Sequence, residues 1–168
     1  MPRFFMARHA VAAVCAGFLL AGCNTAPYQS AQQSSAAHLW SGRLSLQVDD
    51  PSAQAQSFSA SFQLQGSAQQ GSLDLYSPLG SQVARLEWQP GAAQLRQGNQ
   101  VTDSASLPEL LQRSLGTALP IEALFSWLQG TPAQAAGWNV DLSRHADGRI
   151  SAQRTSPLPQ ALLRVVLH

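Results

Sequence analysis

The residues best placed to do chemistry come early in the chain. Leu20-Ala21-Gly22-Cys23 sets two small residues directly before a cysteine. Small side chains let a peptidase approach the backbone closely, and a cysteine at the cleavage point can carry a thioether-linked diacylglycerol. What precedes the quartet fits such processing. Met1 to Arg8 contains Arg3 and Arg8 and no acid, and Ala10 to Leu20 is an almost unbroken apolar run of eleven residues. A helix rising about 1.5 Å per residue would carry that run through roughly half of a bilayer core about 30 Å thick, which suits a signal-peptide core rather than a membrane span. The sequence therefore predicts a removed signal over 1–22 and a covalent lipid on Cys23. An ordinary signal peptide with an incidental cysteine is the alternative. Lipid contributes roughly 0.8 kcal/mol per buried methylene, so one chain binds marginally while two or three anchor firmly.

Other chemistry is hard to place. The chain has no G-x-S-x-G elbow, no glycine-rich phosphate loop and no H-E-x-x-H. Cys15 would leave with the signal and Cys23 would be lipidated, so no cysteine remains for a disulfide or metal. His38, His145 and His168 have no metal-ligand spacing. Asp49-Asp50 precedes Pro51 and reads as a solvated turn rather than an acid/base pair, while Asp74 and Glu87 fall on outward strand faces. The expectation is no enzyme, no metal and no cofactor beyond the covalent lipid. Residues 23–168 hold eight arginines, no lysine and nine acids, a formal charge of −1. Nucleic-acid binding needs a basic surface, which this balance does not supply. Charged residues make up only 11% of the chain, well under the usual quarter. Such a surface suits greasy partners, and equally suits compositional drift in a GC-rich genome.

The elements that would position any site follow from periodicity. Thr25 to Ala37 is rich in Ser and Gln without an apolar face, and with Cys23 it makes an anchor and tether over 23–39. A domain follows over 40–168. Leu44, Leu46 and Val48 alternate with Arg43, Ser45 and Gln47; Phe58, Ala60, Phe62 and Leu64 alternate with Ser57, Ser59, Ser61 and Gln63. Leu73 and Leu75 mark another strand before Ser77-Pro78-Leu79-Gly80. The next strand puts Ala84, Leu86 and Trp88 on one face and Val83, Arg85 and Glu87 on the other. Ala93 and Leu95 begin a further strand, closed by Gly98-Asn99. Short strands at this spacing predict an antiparallel meander. The period then changes. Ser106-Leu107-Pro108-Glu109 is a capping box opening a helix with Leu107, Leu110, Leu111 and Leu115, stopped by Gly116. A second helix follows Pro120 and is apolar around most of its circumference, so it is sandwiched or plugs something. Trp138, Val140 and Leu142 resume strand alternation, Asp147-Gly148 signals a hairpin, and Leu162 to Leu167 is a final strand. The predicted fold is mainly β with a helical insert (α+β): a strongly curved antiparallel sheet with short helices against its concave side.

An apolar surplus remains. Phe58, Phe62, Leu73, Leu75, Leu86, Trp88, Leu95, Leu111, Leu124, Phe125, Trp127 and Trp138 would make a core or line a cavity. A filled core stabilises by about 25 cal/mol per Å2 buried. A cavity gives up part of that, and an acyl ligand could restore it on binding. The residue types alone leave both readings open.

Several of these parts occur together in one family. Leu20-Ala21-Gly22-Cys23 resembles the bacterial lipobox. The tether is followed by Trp40-Ser41-Gly42-Arg43-Leu44; then come Leu73-Asp74-Leu75-Tyr76-Ser77-Pro78-Leu79-Gly80, Trp127-Leu128-Gln129-Gly130-Thr131-Pro132 and Gly137-Trp138-Asn139-Val140. In order and spacing, over roughly 40–167, this resembles the LolB family of outer-membrane lipoprotein receptors. The resemblance implies an open, unclosed β-barrel with helices covering an apolar cavity. It implies a nucleotide-free receptor that accepts acylated lipoproteins from the periplasmic carrier LolA and inserts them into the inner leaflet of the outer membrane. Transfer would run downhill because the receptor holds acyl chains better. Asn24, not aspartate, follows Cys23, which implies sorting to the outer membrane, with the domain facing the periplasm. The implied partners are LolA, acylated lipoproteins and outer-membrane phospholipid, with no nucleic acid and a monomeric receptor. Eleven residues are then cavity candidates: Leu46, Phe58, Phe62, Leu73, Leu75, Leu86, Trp88, Leu111, Leu124, Trp127 and Trp138.

The resemblance also assigns Pro78, Leu79 and Gly80 to a membrane-insertion loop with Leu79 exposed at its tip. Physics allows this, because Pro78 stiffens the turn and Gly80 can take a positive φ. It equally allows Leu79 to fold back into the core. Two departures from the family stand out: Ser77 replaces the asparagine of the turn, and the segment between Trp127 and the last strand is short. The competing readings are an anchored periplasmic scaffold or inhibitor module and a lipid-modifying hydrolase.

Overall fold

The computed structural model describes residues 38–52 and 54–168. The expected signal, Cys23 and the tether as far as residue 37 lie outside the described residues. Among the described residues nine strands form one antiparallel sheet, in spatial order β6-β5-β4-β3-β2-β1-β9-β8-β7. They are β1 (His38–Asp49), β2 (Gln56–Gly66), β3 (Gly71–Tyr76), β4 (Gln82–Gln89), β5 (Ala92–Gln97), β6 (Gln100–Ser104), β7 (Trp138–Asp141), β8 (Arg149–Arg154) and β9 (Gln160–Leu167). The outer strands β6 and β7 do not pair with each other, so the barrel stays open, as the family resemblance implies. β9 closes back onto β1, with Leu44 opposite Val165 and Leu46 opposite Leu163.

Alternation decides which face turns inward. Leu46 and Val48 of β1, Ala60, Phe62 and Leu64 of β2, Ala84, Leu86 and Trp88 of β4, and Ala161, Leu163 and Val165 of β9 are buried on one face. The intervening Ser, Gln and Arg residues face outward. Gly42 is needed where β1 meets β9, since a Cβ there would collide with the Val166 carbonyl oxygen.

Two helices cover the apolar face. α1 (Leu107–Leu115) is capped by Ser106, whose hydroxyl accepts from the Glu109 N–H at 3.4 Å, and it ends at Gly116 with φ +69°. Leu107, Leu110 and Leu111 are its buried stripe. α2 (Ile121–Leu128) buries Ala123, Phe125, Trp127 and Leu128. The linker between the helices is fastened from below. The Arg154 guanidinium, buried at the end of β8, donates to the Ala118 carbonyl at 3.4 Å and to the Pro157 carbonyl at 3.0 Å.

Two expectations need correction, and one strand goes unread in the sequence. β1 begins at His38, two residues before the expected boundary, because its pairing with β2 starts there, His38 opposite Gly66; His38 also stacks on Trp40 with ring centroids 5.2 Å apart. Leu142 lies past the end of β7, where a 3-10 turn over His145–Asp147 leads into β8. β6 carries no buried residue and so shows no alternation to read. Asp74 projects from the outer face, as expected, and is covered there by its partners: Gln82 donates to it at 2.6 Å, and Arg85 lies at 3.3 Å.

Candidate functional site

Between the helices and β1–β5 lies a cavity of about 440 Å3, within the usual range for small-molecule sites. Nine of the eleven expected residues line it: Leu46, Phe58, Phe62, Leu73, Leu75, Leu86, Trp88, Leu111 and Leu124. Several of these are only half-buried, Phe58, Leu73, Leu75 and Leu124 among them, because they face the cavity rather than packed atoms.

Trp127 and Trp138 do not line it. Trp127 is fully buried, donates its indole N–H to the Ala133 carbonyl at 3.0 Å, and packs on Trp138 with centroids 6.4 Å apart. Both belong to solid packing beside Ile150 and Ala152. On α2 the cavity stripe is Ile121, Leu124, Phe125 and Leu128, at i, i+3, i+4 and i+7. Trp127 falls on the neighbouring stripe. The same periodicity identifies Leu107, Leu110 and Leu115 on α1, and strand alternation identifies Leu44, Leu64, Leu163 and Val165, lining residues that sequence reasoning missed. Phe125 meets Trp40 and Trp88 edge-on at 5.4 and 6.4 Å, which closes the end of the cavity nearest Gly66.

Val83 also lines the cavity, against the expectation that it faces outward. The register explains it. Leu75 pairs with Ala84 but Tyr76 pairs with Gln82, so β4 carries an extra residue at that point. A bulge of this kind re-aims the side chain it inserts.

The cavity reaches solvent at Gln56, Val83, Gln97 and Ser114, the lining residues that are exposed. Gln56 opens β2, Val83 lies at the start of β4, Gln97 closes β5 and Ser114 is in the last turn of α1. In an antiparallel sheet these positions share one end. The turn joining β3 to β4 lies at that same end. It is closed by the Ser77 N–H donating to the Ser81 carbonyl at 2.8 Å and the Gly80 N–H donating to the Ser77 carbonyl at 2.9 Å. The Ser77 hydroxyl accepts from the Ser81 N–H at 3.3 Å, so the serine that departs from the family's asparagine still fastens the turn. Gly80 adopts φ +82°, and Leu79 at the tip is 95% exposed. Of the two conformations open to the sequence, the structure has the projecting one. The mouth and a solvent-facing leucine thus share one rim. The polar lining groups, Gln56, Gln97 and Ser114, all sit at the rim, leaving a wall of hydrocarbon suited to aliphatic chains.

Comparison with known proteins supplies the lineage. The model of the family "Outer membrane lipoprotein LolB" matches residues 37–160. The chain is similar to an "Outer-membrane lipoprotein LolB" of Bordetella petrii, at 30% identity over 93% of this chain and 89% of the relative. A protein of the same name from Cupriavidus metallidurans is 31% identical over 75% of this chain and 61% of its own length. A third, from Pseudomonas syringae pv. syringae, reaches 42% over 46% of this chain and 38% of the relative. With a family match across most of its length, an open nine-stranded sheet and a helix-covered apolar interior, the chain belongs to the LolB family of outer-membrane lipoproteins.

Proposed function

We propose that this protein, anchored by lipid on Cys23 and facing the periplasm, is a lipoprotein receptor. It accepts acylated lipoproteins from the soluble carrier LolA, holds their acyl chains in its cavity, and inserts them into the inner leaflet of the outer membrane. Family membership supports a role in lipoprotein localisation. The observation that carries the finer reading is the pairing of an apolar cavity with an exposed leucine on the rim of its mouth.

The physical chemistry is direct. Each methylene moved from water into the cavity contributes about 0.8 kcal/mol, and the half-buried lining residues recover contacts they lack when the cavity is unfilled. No nucleotide is needed, since a chain passes to whichever environment holds it better. Leu79 on a stiff turn enters the bilayer at little entropic cost, bringing the mouth to the surface where the chains must leave.

The test separates the two features. An environment-sensitive apolar dye should bind the purified protein stoichiometrically and be displaced by an acylated peptide. Leu79→Glu should leave folding, dye binding and transfer from carrier to receptor intact, while abolishing delivery into vesicles. Normal delivery by a correctly folded Leu79→Glu protein would remove the loop from the mechanism. Absence of stoichiometric dye binding would remove the cavity.

A further inference from the structure

The outer face of the sheet carries a cluster that the cavity does not use. Arg43 of β1, Arg149 of β8 and Arg164 of β9 are all exposed and all project from this face. Register brings them together. Val166 stands opposite Arg43 on one side and Arg149 on the other, and Arg164 is two residues along the same strand. With strands about 4.8 Å apart, the Cα atoms of Arg43 and Arg149 are roughly 10 Å apart. Val166, 42% exposed, occupies the middle of the triangle.

The remaining arginines among the described residues are engaged. Arg85 pairs with Asp74 and Glu87, and Arg144 pairs with Asp147. Arg113 donates to the Asp103 carbonyl, Arg96 to Gln94 and Arg154 to two carbonyls. Arg43, Arg149 and Arg164 have no ion pair among the described residues. Their cross-strand neighbours are uncharged: Ser61 and Val166 flank Arg43, while Ser45 and Ser151 flank Arg164. Three like charges are thus gathered with one carboxylate near them on that face among the described residues, Asp141, which stands opposite Ser151 on β7 and makes no ion pair with them.

We propose that this arginine triangle is a docking surface for the anionic phospholipid headgroups of the membrane that the Leu79 loop enters; the inference rests on that reading of the loop. A guanidinium matches phosphate oxygens with two parallel N–H donors, and the exposed valine between them suits the apolar border of the headgroup layer. Position also selects a lipid over a cargo-donating protein. The donor must face the mouth, whereas the triangle lies on the other face of the sheet. The row through Arg43 continues across Ser61 to Tyr76, the residue just before the loop. That distance is two strand spacings, about 10 Å. Residues 38–168 hold eight arginines and nine acids, so attraction to an anionic surface must come from this local cluster and not from the overall charge.

The test uses the chain from residue 23 onward with Cys23→Ser, so that no acyl chain contributes. Its binding is measured by co-sedimentation with vesicles of phosphatidylcholine alone or mixed with phosphatidylglycerol. The chain should prefer the anionic vesicles, and salt should weaken the preference. Arg43→Gln/Arg149→Gln/Arg164→Gln should cut that preference roughly a hundredfold, about fivefold per arginine. Binding to neutral vesicles should not change. Arg96→Gln/Arg113→Gln, which removes exposed charge elsewhere, should retain the preference. Leu79→Gln, which removes the apolar tip without adding charge, should weaken binding to both compositions while keeping their ratio; no effect of Leu79→Gln would sink the loop reading but leave the ratio test standing. The proposal is overturned if the triple variant, folded by circular dichroism, keeps the ratio, or if the control pair loses as much. It is also overturned if the triple variant loses an acidic carrier protein instead of lipid.

Discussion

The interior enclosed by β1–β5 and the interior beneath β7 and β8 are built from similar residue types, yet they end differently. Beneath β7 and β8, Trp127, Trp138, Ile150 and Ala152 are buried against one another, with Trp127 and Ala152 fully inaccessible. Against β1–β5, Phe58, Leu73, Leu75, Leu95 and Leu124 remain half-buried around the cavity. One side is a core that has collected its packing energy; the other keeps part of that energy in reserve for a ligand. A large apolar residue half-exposed inside a structure is thus the mark of a binding surface, whereas an equally apolar residue fully buried is not.

The comparison breaks if both sides respond alike to truncation. Trp127→Ala removes a fully buried ring and strands the Ala133 carbonyl, so it should cost about 3–5 kcal/mol. Leu75→Ala enlarges a space that already exists, and should cost about 1 kcal/mol or less. Urea unfolding of the two variants gives the answer. Dye affinity should move the other way, falling for Leu75→Ala and holding for a Trp127 variant mild enough to fold, such as Trp127→Phe. Equal stability losses would mean that the cavity side is packed as tightly as the other.

Arg154 stands at the seam. It fastens the linker carrying Ala118, next to the lining residue Leu119, to the loop carrying Pro157 on the filled side. Arg154→Ala leaves both carbonyls without their charged donor and should cost about 2 kcal/mol. The cost should fall unevenly. Hydrogen exchange should quicken in the helix linker before it does in β7 and β8. Uniform acceleration over the whole sheet would show that Arg154 holds the fold in general and not the cover of the cavity.

Much of this division could be read from the sequence, and the parts that could not have physical causes. Alternation in Phe58–Leu64 and Ala84–Trp88 gave the inward face because one side of each strand is wet. Only the family resemblance places Leu79 at a tip, since a Pro-Leu-Gly turn alone allows either conformation. Trp127 and Trp138 were expected on the lining because residue type does not say which interior an aromatic joins; the helical stripe of Ile121, Leu124, Phe125 and Leu128 does say it. Strict alternation puts Val83 outward because it cannot anticipate a bulge, and the bulge appears only in the pairing of β3 with β4. β6 has no buried residue, so its existence rests on hydrogen bonds to β5 that leave no trace in hydropathy.

The smallest expected effect sharpens the comparison most cleanly, because the same turn occurs on both sides. Asp50, in the loop before the cavity mouth, accepts from the Ser52 hydroxyl and from its N–H at 2.9 Å; Asp141, at the end of β7, accepts from the Ser143 N–H at 2.9 Å. The serine hydroxyl first, and then the backbone N–H, hold each carboxyl below its ordinary value. A folded pKa below the unfolded one means that each turn contributes its stability above the ordinary carboxylate range and loses it as pH falls through the depressed value. Both groups are solvent-exposed, so the contribution to global unfolding should be too small to see, while the titrations themselves should be resolved by NMR. Ser52→Ala should return Asp50 alone towards the ordinary carboxylate value of about 3.9, and Ser143→Ala should do the same for Asp141. Loading the cavity with dye then discriminates. Asp50 is six residues before the mouth residue Gln56, so its midpoint should respond to occupancy while that of Asp141 stays fixed. Equal movement of both would mean that a ligand reorganises the whole sheet, and that the two interiors are coupled rather than separate.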